Sequence, residues 1–309
     1  MKNDLIWGFM IQLGHNMWSE APLIGEPKPE DVDKYAQPFN RTDVKVWNEV
    51  TEYYAKKGAN LVLIDLGEGL QYPSHPELAV KGSWSPERMK EEIVRLKGLG
   101  LEPIPKLNFS TAHDIWLKDY SRMVSTRKYY QVCADLIRDV AELFGHPRWF
   151  HMGYDEETAK HQSFYQHVIV RQGELWWHDF LWFVKQVESA GMRPWMWSDF
   201  IWNHKDDFLK RMPRSVLQSN WYYHEKFDDP NDHRVRGYLD LVEGGFDQIP
   251  TGSNYSCDVN FAGTVDFCRK NIPAERLKGF LMAPWRHTIP HWRGDLVSAI
   301  DLADKVIRQ

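Results

Sequence analysis

The sequence predicts a single (β/α)8 barrel spanning residues 1–309, and three observations support that fold class. Eight short apolar runs alternate with longer amphipathic stretches through short connections, which is typical of a parallel sheet. Eight such units in 309 residues are enough to close a barrel. The turn after the first run, Leu13–Trp18, lacks the glycine pattern of an open nucleotide-binding sheet. The predicted strands are Leu5–Gln12, Asn60–Asp65, Glu102–Asn108, Arg148–Gly153, Arg193–Ser198, Ser215–Asn220, Phe246–Thr251 and Lys278–Pro284.

Helical spacing of apolar residues marks most segments between these runs. Val132, Leu136 and Val140 are one example, because residues four apart share one face of a helix. Ser85-Pro86 has the cap residue and the first-turn proline that begin a helix. The segments after strands 5 and 7 are the least regular. Loops over the mouth of the barrel are predicted at Ser19–Arg41, Tyr72–Ser85 and Trp221–Asn231.

Composition limits the partners. The net charge of −5 argues against nucleic acid or an anionic membrane as the main partner, and no apolar run is long enough to cross a bilayer. Three cysteines without CxxC spacing indicate neither a disulfide framework nor a zinc knuckle. Met1–Asp4 leads directly into the first strand, so no signal peptide is visible. We expect a cytoplasmic protein, or a periplasmic or secreted one if a leader was removed; the oligomeric state stays open.

Three adjacent carboxylates follow the fourth apolar run, in Trp149-Phe150-His151-Met152-Gly153-Tyr154-Asp155-Glu156-Glu157. A buried strand has no structural use for three acids at its tip. Neighbouring carboxylates repel each other and separate their pKa values, which can leave one protonated as a general acid beside an ionised partner. The alternative is a solvated acidic turn that caps the next helix.

The carboxyl ends of the other predicted strands carry polar and aromatic residues, and a barrel places its active site at that face. The chain has 15 Trp, 13 Tyr and 15 Phe. Aromatic faces and hydrogen-bonding groups with few lysines suit a neutral polyhydroxylated ligand. The residues predicted to line this site are His15, Asp65, His113, His151, Asp155, Glu156, Trp197, Asp199, Trp221, Tyr255 and Trp285.

The motif His151-Met152-Gly153-Tyr154-Asp155-Glu156 resembles the His-x-Gly-Gly-Asp-Glu signature of family 20 glycoside hydrolases, the β-N-acetylhexosaminidases. Weaker similarities follow in order along most of the barrel. They include Lys57-Gly58-Ala59-Asn60-Leu61, Pro76-Glu77-Leu78, Trp197-Ser198-Asp199, Gln218-Ser219-Asn220-Trp221 and Ala283-Pro284-Trp285.

The resemblance implies a retaining, substrate-assisted mechanism without a cofactor. Asp155 would orient the 2-acetamido group, whose oxygen attacks the anomeric carbon in place of an enzyme nucleophile. Glu156 would protonate the leaving oxygen and then activate water. Tryptophans 197, 221 and 285 would enclose the sugar, and Tyr255 would hydrogen-bond the acetamido oxygen. Adjacent strand residues face opposite sides, so Asp155 and Glu156 converge only if the strand bends or ends there.

Three positions depart from the family pattern. Tyr154 stands where the second glycine is expected, Trp7 stands near the place of a strand 1 arginine, and Arg286-His287 follows Trp285 where the family has Trp-x-Glu. These departures leave Glu157 or Asp199 open as a second carboxylate in a two-acid mechanism.

Two other functions remain open. The first is a sugar-binding barrel without catalysis. The second is a metal-dependent hydrolase or isomerase, in which the five strand-end residues His15, Asp65, His113, His151 and Asp155 chelate a divalent ion. Their spacing matches no established metal motif, so we predict that no metal is bound.

Overall fold

The computed structural model describes residues 5–20, 33–229 and 231–308. Its described strands form one eight-stranded parallel sheet that curves into a barrel, which confirms the predicted fold class. The strands are β1 Ile6–Gln12, β2 Leu61–Asp65, β3 Glu102–Lys106, β4 Trp149–His151, β5 Arg193–Trp197, β6 Leu217–Ser219, β7 Thr251–Gly252 and β8 Gly279–Met282.

The strand order is β6-β5-β4-β3-β2-β1-β8-β7, and isolated parallel bridges between Gln218 and Gln248 and between Trp221 and Thr251 complete the ring. The seventh strand is the weakest point of the prediction. It was expected at Phe246–Thr251, but regular pairing covers only Thr251–Gly252. Pro250 lies in the predicted segment, and proline has no N–H to donate to a neighbouring strand.

A helix follows each strand in the described chain, including the irregular segments after β5 and β7. Ser85 accepts a hydrogen bond from the Arg88 N–H (3.3 Å), which confirms the predicted helix start. None of the helices in the described ranges is long and apolar enough to cross a membrane. The helices are α1 Val44–Lys56, α2 Pro86–Gly98, α3 Arg127–Phe144, α4 Gly173–Ser189, α5 Ile201–Arg211, α6 His233–Glu243, α7 Asn260–Asn271 and α8 Arg293–Ile307.

The hydrophobic core has two layers. The larger one lies between the strands and the helices, and the smaller one fills the barrel with residues such as Met10, Leu63 and Ile104. Strand alternation assigns the residues of β1 to these layers. Trp7 packs in the outer layer, with its ring 5.4 Å from that of Phe280, so it does not reach the barrel mouth.

The predicted loops lie at the carboxyl ends of the strands. Residues 21–32 of the first loop lie outside the described residues. The second loop contains a short 3-10 helix at Pro76–Leu78. The third loop ends where Asp232 caps α6 by accepting a hydrogen bond from the Arg234 N–H (2.9 Å).

Candidate active site

The chain makes an unusual turn directly after β4. The strand ends at His151, and Gly153, Tyr154 and Glu156 then have φ angles of 69°, 77° and 54°. A Cβ atom on Gly153 would lie 2.0 Å from Asn108 Oδ1, so only glycine fits this position. Because the regular alternation of the strand is lost, Asp155 and Glu156 converge on the same histidine.

Asp155 and Glu156 share His113, which lies on the loop after β3. The His113 Nε2 atom lies 3.4 Å from Asp155 Oδ2 and 3.4 Å from Glu156 Oε2. Asn108 Nδ2 donates a hydrogen bond of 2.8 Å to Asp155 Oδ1, and His161 Nε2 lies 3.3 Å from Glu156 Oε1. The Asp155 side chain is 7% exposed and that of Glu156 is 28% exposed. The aspartate is therefore enclosed, whereas the glutamate is open toward the cleft.

His113, Asp155 and Glu156 are all charged in the folded protein. Burial opposes the charged form of His113, but the carboxylates of Asp155 and Glu156 outweigh it and raise the pKa of His113 to about 10. Burial also opposes ionisation of the carboxylates, but hydrogen bonding and the charge of His113 hold the pKa of each below its usual range. The prediction that one of these adjacent acids is neutral is therefore wrong for this pair, because an imidazolium stands between them.

The neutral carboxyl group is instead Asp199, at the end of β5. Its Oδ2 accepts a hydrogen bond of 2.9 Å from the Glu156 N–H, and its Oδ1 is buried without a partner in the described chain. Burial, followed by the nearby charges of Asp155 and Glu156, raises the pKa of Asp199 to about 8. Asp199 therefore remains close enough to Asp155 and Glu156, here called the dyad, to serve as the second carboxylate considered above.

Glu157, the other candidate second carboxylate, turns away from the mouth. Its side chain is 4% exposed and pairs with Arg171 at 2.7 Å. Tyr154 also points outward, with its ring 5.1 Å from Phe180 and 5.4 Å from Trp176. The large residue in the motif therefore fills the layer between strands and helices, and the cleft is not narrowed by it.

Tryptophans form one wall of the mouth. The ring of Trp285 lies 5.8 Å from Trp197 and 6.4 Å from Trp18, and its Nε1 donates a hydrogen bond of 2.8 Å to the Tyr223 hydroxyl. Trp221 stacks on Tyr223 at 5.1 Å.

Tyr223 was missed by the sequence analysis, which named Trp221 among the predicted ligand-binding residues at this end of the barrel. Tyr222 turns away, and its hydroxyl donates to the carbonyl of Lys226 at 2.7 Å. The signal was present in the spacing, because extended residues two apart share a side and Tyr223 is two residues from Trp221.

Asp65 and Lys106 form a buried ion pair at the ends of β2 and β3. The Lys106 Nζ lies 2.5 Å from Asp65 Oδ2, and their side chains are 0% and 2% exposed. Lys106 was not predicted, and its Nζ also lies 5.9 Å from the ring centroid of Trp285. His151 is likewise buried; its Nδ1 accepts a hydrogen bond of 3.0 Å from the Gly153 N–H, and its ring lies 4.3 Å from Trp197.

His15 and Tyr255 complete the predicted set. The ring of His15 lies 3.2 Å from that of His287 and 4.6 Å from Trp18, which in turn lies 6.3 Å from His113. Burial lowers the pKa of both His15 and His287, so this pair is neutral. Tyr255 is 48% exposed, and no contact within the described ranges joins it to the dyad. It therefore lies on the rim.

Several site residues carry buried polar atoms that have no hydrogen-bond partner in the described chain. Burying such atoms unpaired is costly, so their concentration at one place favours a ligand rich in hydroxyl groups. Six of the eleven predicted residues have one: His15, His113, His151, Trp197, Asp199 and Trp221.

Three residues have the geometry of a chelating group. His113, Asp155 and Glu156 each offer one ligand atom, and these atoms lie within 4.8 Å of one another. Among the described residues, His15, Asp65 and His151, which the sequence analysis had considered as further ligands, do not belong to this group. Asp65 is already paired with the ammonium group of Lys106.

No family model and no curated protein matches this sequence. Solved structures do match the fold. A β-N-acetylhexosaminidase from Bacteroides fragilis superposes with a TM-score of 0.65 at 14% identity, covering 98% of this chain and 65% of that one. A mutant Streptomyces plicatus β-hexosaminidase in complex with the product GlcNAc gives 0.65 at 13% identity, covering 97% and 63%. A family 20 chitobiase from Flavobacterium johnsoniae gives 0.63 at 17% identity, covering 86% and 46%.

These matches confirm the resemblance at the level of the fold. The chain spans less than two thirds of the length of each of these three enzymes. Its barrel shares the fold of these three enzymes at sequence identities of 13–17%.

Proposed function

We propose that this protein is a glycoside hydrolase that acts on N-acetylhexosaminides, with Glu156 as general acid/base and Asp155 as its partner. The main support is one observation: an enclosed aspartate and an open glutamate converge on a shared histidine at the catalytic face of the barrel. The barrels that it superposes on belong to hexosaminidases.

The proton on His113 supplies the acid in this proposal. When a glycosidic oxygen contacts Glu156, the proton moves from the His113 Nε2 through the glutamate to the leaving oxygen as negative charge develops there, so that no neutral Glu156 has to accumulate and His113 is left neutral. The acetamido oxygen forms a bond to the anomeric carbon as the bond to the leaving oxygen breaks. Asp155, buried and anionic, accepts the acetamido N–H and holds that group in line. Water then attacks the anomeric carbon and breaks its bond to the acetamido oxygen, while Glu156 takes a proton from that water and passes it back to His113.

The aromatic wall and the unpaired polar atoms would bind the sugar. The faces of Trp197 and Trp285 provide apolar surface, while the unpartnered indole N–H groups of Trp197 and Trp221 are donors for hydroxyl oxygens. The neutral His15–His287 pair adds acceptors as well as donors. This lining favours an uncharged sugar over a phosphorylated one.

The test is release of nitrophenol from a panel of aryl glycosides that includes β-GlcNAc and β-GalNAc. Glu156→Gln should lose the activity, because glutamine keeps the shape but cannot transfer a proton. Glu174→Gln is the matched control, since its side chain is 87% exposed on α4. Full activity of Glu156→Gln would contradict the assignment. Cleavage of sugars that lack the acetamido group would instead favour Asp199 as the second carboxylate.

A sugar-binding barrel without catalysis is the second candidate. The observation that favours it is the pairing of Glu156 with both His113 and His161, which stabilises the carboxylate form over the acid that catalysis needs. Calorimetry with N-acetylglucosamine separates the two candidates. Binding without turnover of any aryl glycoside supports this candidate, and robust hydrolysis excludes it.

A further inference from the structure

We propose that Arg171 is a positioning residue, which acts through Glu157 to hold the turn that presents Asp155 and Glu156. The inference rests on the proposed function for its kinetic consequence, but its structural part can be tested without turnover. The catalytic scheme does not use Glu157, the third acid of the segment. Glu157 directly follows Glu156 and is anchored on the opposite side of the chain.

The contact between Arg171 and Glu157 is bidentate and buried. The Arg171 Nε donates to Glu157 Oε1 at 2.8 Å and its Nη2 donates to Oε2 at 2.7 Å, while the backbone N–H of Arg171 also donates to Oε1 at 2.8 Å. The side chains are 0% and 4% exposed. Two parallel charge-assisted hydrogen bonds fix both the distance and the orientation of the carboxylate.

Arg171 also connects the dyad turn to the loop that carries His113. Its Nη2 donates to the carbonyl of Phe109 at 2.8 Å, and Glu157 Oε2 accepts from the Thr111 N–H at 3.4 Å. The β3 loop and the β4 loop are therefore held by the same guanidinium group. His113 comes from one of these loops and the two carboxylates from the other.

Further contacts hold Arg171 itself in place. Its Nη1 lies 3.3 Å from Asp179 Oδ2, and Asp179 in turn accepts hydrogen bonds from Ser125 at 2.6 Å and Tyr130 at 2.5 Å. The guanidinium carbon lies 4.6 Å from the ring centroid of Tyr154. Both neighbours of Asp155 in the turn are thus linked to this group, one by stacking and one through Glu157.

Strain in the turn explains why such an anchor is needed. Tyr154 and Glu156 adopt left-handed backbone angles, which non-glycine residues maintain only when the surroundings determine the conformation. A buried ion pair is weak evidence for a stabilising role, because well-packed apolar residues can stabilise as much. An apolar pair would lack the two parallel hydrogen bonds that fix the distance and orientation of the Glu157 carboxylate.

Loosening this anchor should affect the dyad more than the sugar-binding wall. Trp197 and Trp285 belong to β5 and to the end of β8, and neither makes a described hydrogen bond or ring contact with Arg171 or Glu157. Binding of the sugar ring should therefore persist while proton transfer becomes less efficient. A kcat effect with little change in KM separates positioning from general damage to the fold.

The experiment compares Arg171→Lys, Arg171→Met and Glu157→Gln with the control Arg211→Met. Arg211 is the matched control because it also pairs with a carboxylate and stacks on an aromatic ring, Trp177, at 4.8 Å, but it lies on α5. We expect Arg171→Lys and Glu157→Gln to lower kcat at least tenfold with KM within about twofold, and Arg211→Met to change neither. Unchanged kcat in both variants would overturn the proposal, as would a loss of kcat that merely follows the folded fraction.

Hydrogen exchange at the Glu156 amide gives the readout that does not depend on hydrolysis. This N–H donates to Asp199, and its exchange should accelerate at least tenfold in Arg171→Lys, with α8 amides unchanged. Unchanged exchange at the Glu156 amide in a folded Arg171→Lys variant would overturn the positioning role. Accelerated exchange in a protein that cleaves no glycoside would support the positioning role and contradict only the proposed hydrolase activity. Arg171→Lys keeps the charge, so the test does not depend on Arg171→Met being folded.

Discussion

Asp199→Asn should make the stability of the protein respond differently to pH. Asp199 has a pKa of about 8 in the folded protein because it is buried and faces the charges of Asp155 and Glu156. The pKa of an aspartate in an unfolded chain is about 3.9. Between these pH values the folded state therefore holds one proton more than the unfolded state. The contribution of Asp199 to the free energy of unfolding of the wild type therefore falls as the pH rises through this window.

The size of the effect follows from the linkage relation. One additional bound proton gives a slope of about 1.4 kcal/mol per pH unit. Asparagine resembles the protonated carboxyl group, since its oxygen can accept the Glu156 N–H, but it carries no titrating proton. Asp199→Asn should therefore gain about 3 kcal/mol over the wild type between pH 5 and pH 7. Below pH 4 both states bind the proton, and the difference between the two proteins should become constant.

Urea unfolding of the two proteins from pH 4 to pH 9 measures this difference. Asp266→Asn is the control, because Asp266 is an exposed carboxylate paired with Lys270 on α7. Its curve should run parallel to that of the wild type. If the difference between Asp199→Asn and the wild type does not change between pH 5 and pH 7, Asp199 is ionised in the folded protein and the reasoning fails.

Further substitutions test other parts of the site. Gly153→Ala should lower the free energy of unfolding by at least about 2 kcal/mol in urea, because a Cβ there would lie 2.0 Å from Asn108 Oδ1 at a φ of 69°; a smaller loss would show that the turn can relax. Lys106→Met should cost about 3–5 kcal/mol by leaving Asp65 buried without its partner, and Lys106→Met with Asp65→Asn should recover part of that loss. Trp285→Ala should raise KM for aryl N-acetylglucosaminides about tenfold, corresponding to about 1.4 kcal/mol of lost ring contact, and an unchanged KM would remove Trp285 from the sugar site. Dialysis against a chelator should leave hydrolysis within about twofold of the untreated rate, since the scheme needs a free Glu156; loss of activity that zinc restores would favour the metal-dependent alternative.

The fold was predictable because the signals for it are local. Alternation of short apolar runs with amphipathic stretches depends only on neighbouring residues, and each predicted strand overlaps an observed one. The weak overlap is at β7, where Pro250 interrupts regular pairing. The position of Asp155 and Glu156 at the barrel mouth was predictable for the same reason, since they follow a strand directly.

The protonation and direction of the site residues were not predictable in the same way. Asp199 is neutral because of its burial and its neighbours, and both depend on the packing of distant segments. Glu157 turns away because Arg171, fourteen residues later, binds it from behind. Lys106 was overlooked because its partner Asp65 belongs to another strand. Tyr223, in contrast, was accessible to strand alternation, because it lies two residues after the predicted Trp221.

The outward rotation of Tyr154 changes how the signature around it should be compared between proteins. In the sequence, the segment differs from the expected motif by a tyrosine in place of a glycine, which is a large change in side-chain size. In three dimensions that position belongs to a different environment, bounded by Trp176, Phe180 and Phe183. Its size is matched to the helices outside the barrel, independently of the ligand. Comparing such segments by whether each side chain points into the barrel or toward the helices would therefore detect similarity that a comparison of residue identities misses.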